Sequence, residues 1–453
     1  MKYSIYICLL FIGISTGLRA QPYGALMRPD DHPIGFASMN ARGQNGTTGG
    51  AGGDTITITN GDTLYTYLRS IRSDKNPTLR PKVILIKGTI TAGDKMVYIK
   101  SCANVTVLGL GTNARIQGFG FEIETSQNII IRNIEFWDCP TDGIDIRDPE
   151  THHIWVDHCS FTDGATADPG EGGDANHDGA LDYKKEATHV TVSWCHFMNH
   201  SKTCLFGHTD GETADTVMCG TYHHNWFDTT WQRHPRVRFG RCHVFNNYCE
   251  SNKLYGVAST CNARVVVEGC YFQNVPYPMN IGYAESPAGY LNQSNNVFDG
   301  CGTPVTNGET KQLGQPASNP HNWNPASDYA YVVDNPADVP PLVQQYAGSG
   351  KLFVTTAVEH HESIPRSRMI MENYPNPFNP STKIRFSVDT RDHVTLKICD
   401  VLGRPVAVLF DGAADPGKDY AVTFDGTHLS SGVYFSVLQN GTTRLVNKLM
   451  LTK

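Results

Sequence analysis

The sequence predicts an all-β protein: a right-handed parallel β-helix followed by a small C-terminal β-sandwich. Three observations predict it. A short motif, an aliphatic strand followed by Cys or Asn, one residue and then an aromatic, recurs through the middle of the chain. The segments carrying it are short, β-branched and alternating, which is strand rather than helix patterning. After about residue 370 the pattern gives way to brief alternating strands separated by Gly-containing turns.

The elements follow in chain order. Residues 1–20 read as a secretory signal, with Lys2 as the positive start, Ile5 to Ile14 as the apolar stretch and Ala20 as a small residue for cleavage. About ten apolar residues are too few to span a bilayer. Residues 21–350 form the solenoid, 351–370 a linker and 371–453 the sandwich.

The solenoid rests on the repeat. Its copies are Val156-Asp157-His158-Cys159-Ser160-Phe161, Val192-Ser193-Trp194-Cys195-His196-Phe197 and Tyr222-His223-His224-Asn225-Trp226-Phe227. Val244-Phe245-Asn246-Asn247-Tyr248, Val267-Glu268-Gly269-Cys270-Tyr271-Phe272 and Ser294-Asn295-Asn296-Val297-Phe298 continue it, and Ile131-Arg132-Asn133-Ile134-Glu135-Phe136 is a looser, earlier copy. A period of this size marks stacked coils. Stacking puts Phe136, Phe161, Phe197, Phe227, Tyr248, Phe272 and Phe298 in one internal column. Cys159, Cys195, Asn225, Asn246, Cys270 and Asn296 form a second, in which Asn bonds backbone groups of the next coil. The widest gap, between Phe161 and Phe197, holds an acidic, Gly-rich insertion from Asp163 to Gly179, and a long loop leaving a rigid scaffold is a usual seat of function.

Charge and cysteine usage narrow the function. The net charge of −7 excludes a general polyanion or nucleic-acid binder, so affinity for an anionic ligand must be local. Twelve of the 13 cysteines follow the signal, which in an exported protein predicts some disulfides. No CxxC pair occurs, which disfavours zinc.

The local charge is found at Trp231-Gln232-Arg233-His234-Pro235-Arg236-Val237-Arg238-Phe239-Gly240. Guanidiniums grip carboxylates bidentately. Lys202 precedes this run, and Asp142, Asp178 and Asp182 lie near the ends of predicted strands on successive coils. Such hard oxygens suit Ca²⁺, and Asp168, Glu171 and Asp174 in the insertion are further candidate ligands. With Lys202, Arg233 and Arg238 on the same face, the set fits an acidic polysaccharide. Cations on a substrate carboxylate acidify the proton α to it; once a base takes that proton, the glycosidic oxygen leaves by β-elimination. Hydrolysis by Asp178 and Asp182 as a carboxylate pair ranks lower, because it leaves the basic run a binding role only.

The span from Gly49 to about Gly348 resembles the pectate lyases of the pectate/pectin lyase superfamily. The resemblance is carried by Gly49-Gly50-Ala51-Gly52-Gly53, Val105-Thr106-Val107-Leu108-Gly109 and Ile154-Trp155-Val156-Asp157-His158. It continues in Asp178-Gly179-Ala180-Leu181-Asp182, Val190-Thr191-Val192-Ser193-Trp194 and Gln232 to Gly240. It implies a parallel β-helix, Ca²⁺ and β-elimination of polygalacturonate to 4,5-unsaturated oligogalacturonides. By motif position it implies Ca²⁺ carboxylates at Asp142, Asp178 and Asp182, with Asp145 the rival to Asp142. It implies Arg233 as the base, and Lys202 and Arg238 as holders of the substrate carboxylate. Two alternatives stand beside it: a pectin lyase acting on methyl-esterified substrate, and a non-catalytic glycan-binding β-helix.

The last segment resembles the C-terminal sorting domain of the type IX secretion system. Its opening Tyr374-Pro375-Asn376-Pro377-Phe378-Asn379-Pro380, then Val401-Leu402-Gly403-Arg404, Ser431-Gly432-Val433-Tyr434 and Lys448-Leu449-Met450, carry that likeness. It implies the secretion machinery as partner and an extracellular or outer-membrane-surface location. The enzyme itself is expected to act as a monomer.

Overall fold

The computed structural model describes residues 32–73, 80–93, 96–164, 177–302, 305–307, 310–313, 319–352, 370–374, 376, 378–388, 391–400, 404–415, 418, 420–440 and 443–452. The expected signal, most of the expected linker, and Asp168, Glu171 and Asp174 lie outside these residues. The chain divides into two compact units, 1–356 and 357–453. Among the described residues no helix is long and apolar enough to cross a membrane.

The first unit is a parallel β-helix. Its coils contribute strands in turn to three sheets of ten, nine and ten strands. In the first sheet Ile84, Val107, Ile131, Val156, Val192, Tyr222, Val244 and Val267 pair in register from coil to coil. The first seven of these from Val107 onward and Ile84 itself are all buried. A period of two along each strand and exact stacking between strands therefore build one continuous core. The helix Gly61–Ser70 is N-capped by the Asn60 side chain and sinks Leu64 and Leu68 into the first coils of that core.

The second sheet holds the aromatic column. Phe136, Phe161, Phe197 and Phe227 are paired in register and stack flat, with centroids 4.9–5.0 Å apart. Phe272 and Phe298 continue it at 5.4 Å. Tyr248 does not belong to it; Cys249 holds that place, paired with Phe227 and Phe272. Tyr248 instead faces outward, under the helix Val339–Tyr346, where it packs with Trp194, Leu342 and Val343. The Asn column is shifted at the same coil, because Asn247 rather than Asn246 occupies the ladder. Asn246 has φ 50°, the left-handed turn that His158, Trp194 and His224 adopt just before their ladder residues. Asn225 Oδ1 accepts from Cys195 N at 2.9 Å, and Asn247 Oδ1 from Asn225 N at 2.8 Å, so each amide closes the turn of the coil before it.

The expected disulfides are not seen among the described residues: no bond joins any two of the cysteines from Cys102 to Cys399, and all of these but Cys301 are buried. Eight of them, Cys159 and Cys195 included, sit in the solenoid core.

The second unit is the sandwich. One sheet joins strands Ile370–Tyr374, Ser381–Ser387 and Tyr420–Asp425; the other joins Pro405–Ala414, Asp392–Cys399, Gly432–Asn440 and Thr443–Leu451, all antiparallel. Ile384, Phe386 and Phe424 from the first sheet meet Leu396, Ile398, Leu438 and Leu449 from the second in a common core.

Candidate active site

The third sheet carries the charged residues. Strand Ile144–Arg147 pairs with Gly179–Lys184, which pairs with Lys202–Phe206, which pairs with Arg236–Arg238. Side chains that are far apart in sequence thus sit on adjacent coils, one strand spacing apart.

Asp142 and Asp182 converge on Gly179. The Gly179 N–H donates to Asp142 Oδ1 at 2.8 Å, and a Cβ at this position would lie 2.3 Å from Asp182 Oδ1 and 2.9 Å from Asp142 Oδ1. No side chain fits there, so the glycine is what lets the two carboxylates close over the strand. Asp182 Oδ1 also accepts from the Leu205 N–H at 3.3 Å. Burial, with Asp142 close by, pushes Asp182 up to about 7, even though Lys184 and Arg233 pull it down. The positive charge around Asp182 therefore does not offset its burial beside a second carboxylate.

The remaining acid and base residues lie around them. Lys184, unnoticed in the sequence, places its ammonium 3.6, 3.3 and 3.7 Å from Asp142, Asp145 and Asp182. Its position was available as a signal, since Lys184 is two residues beyond Asp182 on one strand and so shares its face. Asp145 is fully buried, in register with Asp182 and paired with Arg147. Asp178 is more exposed and accepts from Lys202 Nζ at 3.1 Å. Burial raises Asp178, but the hydrogen bond and charge of Lys202, with Arg233 and Lys184 beyond, outweigh it and hold the carboxyl below its ordinary value.

Arg233 lies at a coil turn with φ 69°, half-buried, and its carbonyl accepts from Cys204 N at 2.9 Å. Its Nε is buried without a hydrogen-bond partner. Its charge acts on Asp178 and Asp182, and on the buried Tyr255. Arg238 is set apart from this group: Nε donates to Asp210 Oδ1 at 2.7 Å and Nη1 to the Gly207 carbonyl at 3.3 Å. Arg236, between the two, is buried. It donates to Ser286 Oγ at 2.7 Å and lies over the Tyr283 ring, while Ser286 donates to the same Asp210 oxygen at 2.6 Å. Burial lowers Arg236 from its ordinary value.

The donor set fits a hard cation. Asp142 and Asp182 supply converging carboxylate oxygens from two coils, while Asp178, whose charge is felt at Asp182, is engaged by Lys202. Among the described residues, no three His, Cys, Asp or Glu side chains form a metal cage by themselves. Ca²⁺ takes six to eight oxygens, so water and substrate carboxylate would complete the shell.

Residues 25–352 match the family described as Pectate lyase, and residues 372–452 match the Secretion system C-terminal sorting domain. A pectate trisaccharide-lyase of Bacillus licheniformis is 32% identical over 369 residues, covering 78% of this chain and 99% of that relative. One from Thermotoga sp. is 35% identical over 388 residues, covering 78% and 98%. Among solved structures, a pectate lyase variant from Xanthomonas campestris superposes with TM-score 0.62 at 26% identity, covering 71% of this chain and all of that one. A pectate lyase from Bacillus sp. N165 in complex with trigalacturonate gives TM-score 0.58 at 29% identity, covering 71% and 99%. The sorting domain indicates type IX secretion, to the outside or to the cell surface. With a solenoid, an acid and base cluster on its third sheet and this breadth of likeness, the chain belongs to the pectate lyase family and is a polysaccharide lyase.

Proposed function

We propose that the enzyme cleaves α-1,4-linked polygalacturonate by Ca²⁺-dependent β-elimination, giving 4,5-unsaturated oligogalacturonides. The observation that carries this reading is the single electrostatic cluster of Asp142, Asp178, Asp182, Lys202 and Arg233, drawn from adjacent coils. The relative in complex with trigalacturonate supports the substrate.

Asp142, Asp178 and Asp182 would hold Ca²⁺, which supplies the charge that binds a galacturonate carboxylate and acidifies the proton α to it. Lys202 grips the same carboxylate once it exchanges Asp178 for substrate. Arg238, fixed by Asp210, holds carboxylate at the far side of the site. Arg233 is the proton acceptor. It takes the proton from C5, the C5 electron pair forms the C4–C5 double bond, and the C4–oxygen bond breaks. The departing glycosyl oxygen then takes up a proton. The role of base comes with the family resemblance, since an arginine is ordinarily protonated. The retained aspartates favour free carboxylates over methyl esters, because an ester brings no charge to a bound cation.

The test is ultraviolet absorbance of the unsaturated product on polygalacturonate, with Ca²⁺ and then with excess chelator. A rise that chelator stops is the expected result. A rise indifferent to chelator would remove Ca²⁺ from the reading, and no rise from folded protein would remove the substrate.

A further inference from the structure

The position of Lys184 points beyond the reading above. Its side chain is 9% exposed, and its ammonium is enclosed by Asp142, Asp145 and Asp182 at 3.3–3.7 Å. Each of the two converging carboxylates is fully engaged. Asp142 gives Oδ1 to the Gly179 N–H and Oδ2 to Lys184; Asp182 gives Oδ1 to the Leu205 N–H and Oδ2 to Lys184. The strand beneath is fixed in register on both sides, by Arg147 and Tyr183's partner Phe206, so the lysine cannot be moved without its side chain swinging.

We propose that Lys184 is an internal counter-ion that competes with Ca²⁺ for the Asp142 and Asp182 carboxylates. It keeps them assembled when no metal is bound, and it weakens metal binding when metal arrives. This inference rests on the Ca²⁺ reading of the site.

The physical argument is one of charge and distance. With all groups ionised, Asp142, Asp145 and Asp182 carry three negative charges, and Arg147 and Lys184 return two. Removing the lysine charge leaves a net deficit of two, which a divalent cation matches. A cation held by oxygens of both Asp142 and Asp182 must also share the space that Nζ now contacts, and two positive charges at that separation in a buried site repel strongly. Lys184 is thus a positioning residue that sets metal affinity, and it touches neither substrate nor the proton transferred.

The experiment is isothermal titration calorimetry of Ca²⁺ into the full-length protein, wild type against Lys184→Met, with thermal melts in chelator and in saturating Ca²⁺. The variant is expected to bind Ca²⁺ at least tenfold more tightly. In chelator it should melt below wild type, so that the interval between its two melting temperatures widens. Lys184→Arg should keep the wild-type pattern. If Lys184→Met fails to fold, Lys184→Gln, which keeps hydrogen-bond donors without the charge, takes its place, with Ca²⁺ affinity again expected above wild type. Wild-type binding with no gain in either folded variant would overturn the counter-ion role and leave the Ca²⁺ reading standing. Absence of Ca²⁺ binding in wild type and variants alike would overturn both.

Discussion

Lys202 Nζ donates to Asp178 Oδ1 at 3.1 Å across adjacent coils, from a strand paired in register with the one that Asp178 precedes. The pair is partly open to solvent, Asp178 more than Lys202. As an exposed ion pair it contributes below about 1 kcal/mol to stability. Its weight falls on turnover, since Lys202 must be near enough to Asp178 to be aimed and loose enough to take substrate. Lys202→Met is expected to lower kcat/KM by about 10²–10³ with little change in the denaturation midpoint. A variant that loses as much stability as activity would make Lys202 structural.

Arg233→Ala should reduce turnover by about 10³ or more, the scale of a lost general base with its electrostatic support. Because the Arg233 side chain anchors no strand and its Nε bonds nothing, circular dichroism should be unchanged. Near-wild-type rates would remove Arg233 from the proton transfer.

Asp182→Ala removes a buried oxygen donor beside Gly179. The half-saturating Ca²⁺ concentration for activity is expected to rise about tenfold or more, each carboxylate being a substantial part of a site with few protein ligands. An unaltered Ca²⁺ response would exclude Asp182 from the ligand set.

Phe197→Ala cuts the middle of the aromatic column, where Phe197 is fully buried and stacked on Phe161 and Phe227. The rigid coils on either side cannot collapse into the gap, so the cost should be about 3–5 kcal/mol. Chemical denaturation measures it, and a loss under about 1 kcal/mol would mean the coils do relax.

His234 is fully buried beneath the arginine run, and burial pushes it down to about 3 from 6.5. The folded state keeps it neutral, while the unfolded chain protonates it below about 6.5. Its contribution is therefore complete above pH 6.5 and is lost as pH falls toward 3, on the order of 4 kcal/mol across that window. Asp182, raised to about 7, works in the opposite sense over part of the same range, so the comparison is made against His234→Gln. Wild type should lose stability more steeply than the variant between pH 6.5 and 4; parallel curves would show that His234 is not held neutral.

The coil period was legible in the sequence because the core position two residues after Cys or Asn is aromatic in five of the six clear copies, and a stacked position tolerates little variation in size. It slipped at Phe245-Asn246-Asn247-Tyr248, where two asparagines stand together. One satisfies a left-handed turn and the other a backbone ladder, and only φ tells them apart. Asp178, Asp182, Lys202 and Arg233 were legible as candidates, since charged residues stand near the ends of short strands predicted on successive coils. Lys184 and Arg236 were not, because a basic residue on a strand reads as solvated until its neighbours on adjacent coils are known. Arg238 was legible as a cation, but its tether to Asp210 spans a turn no local pattern encodes. The disulfide expectation came from location alone, whereas the coil geometry puts eight of the cysteines in the solenoid core.

That geometry has a bearing on where the protein can work. Burial pushes up the thiols of Cys139, Cys204, Cys242, Cys249 and Cys270, the last to about 12, so thiolate is scarce at these positions at neutral pH and their sulfurs are inert toward oxidants and exchange partners. A chain bound for the exterior thus carries no covalent cross-link among its described cysteines. Its fold should be indifferent to the redox poise of each compartment it crosses.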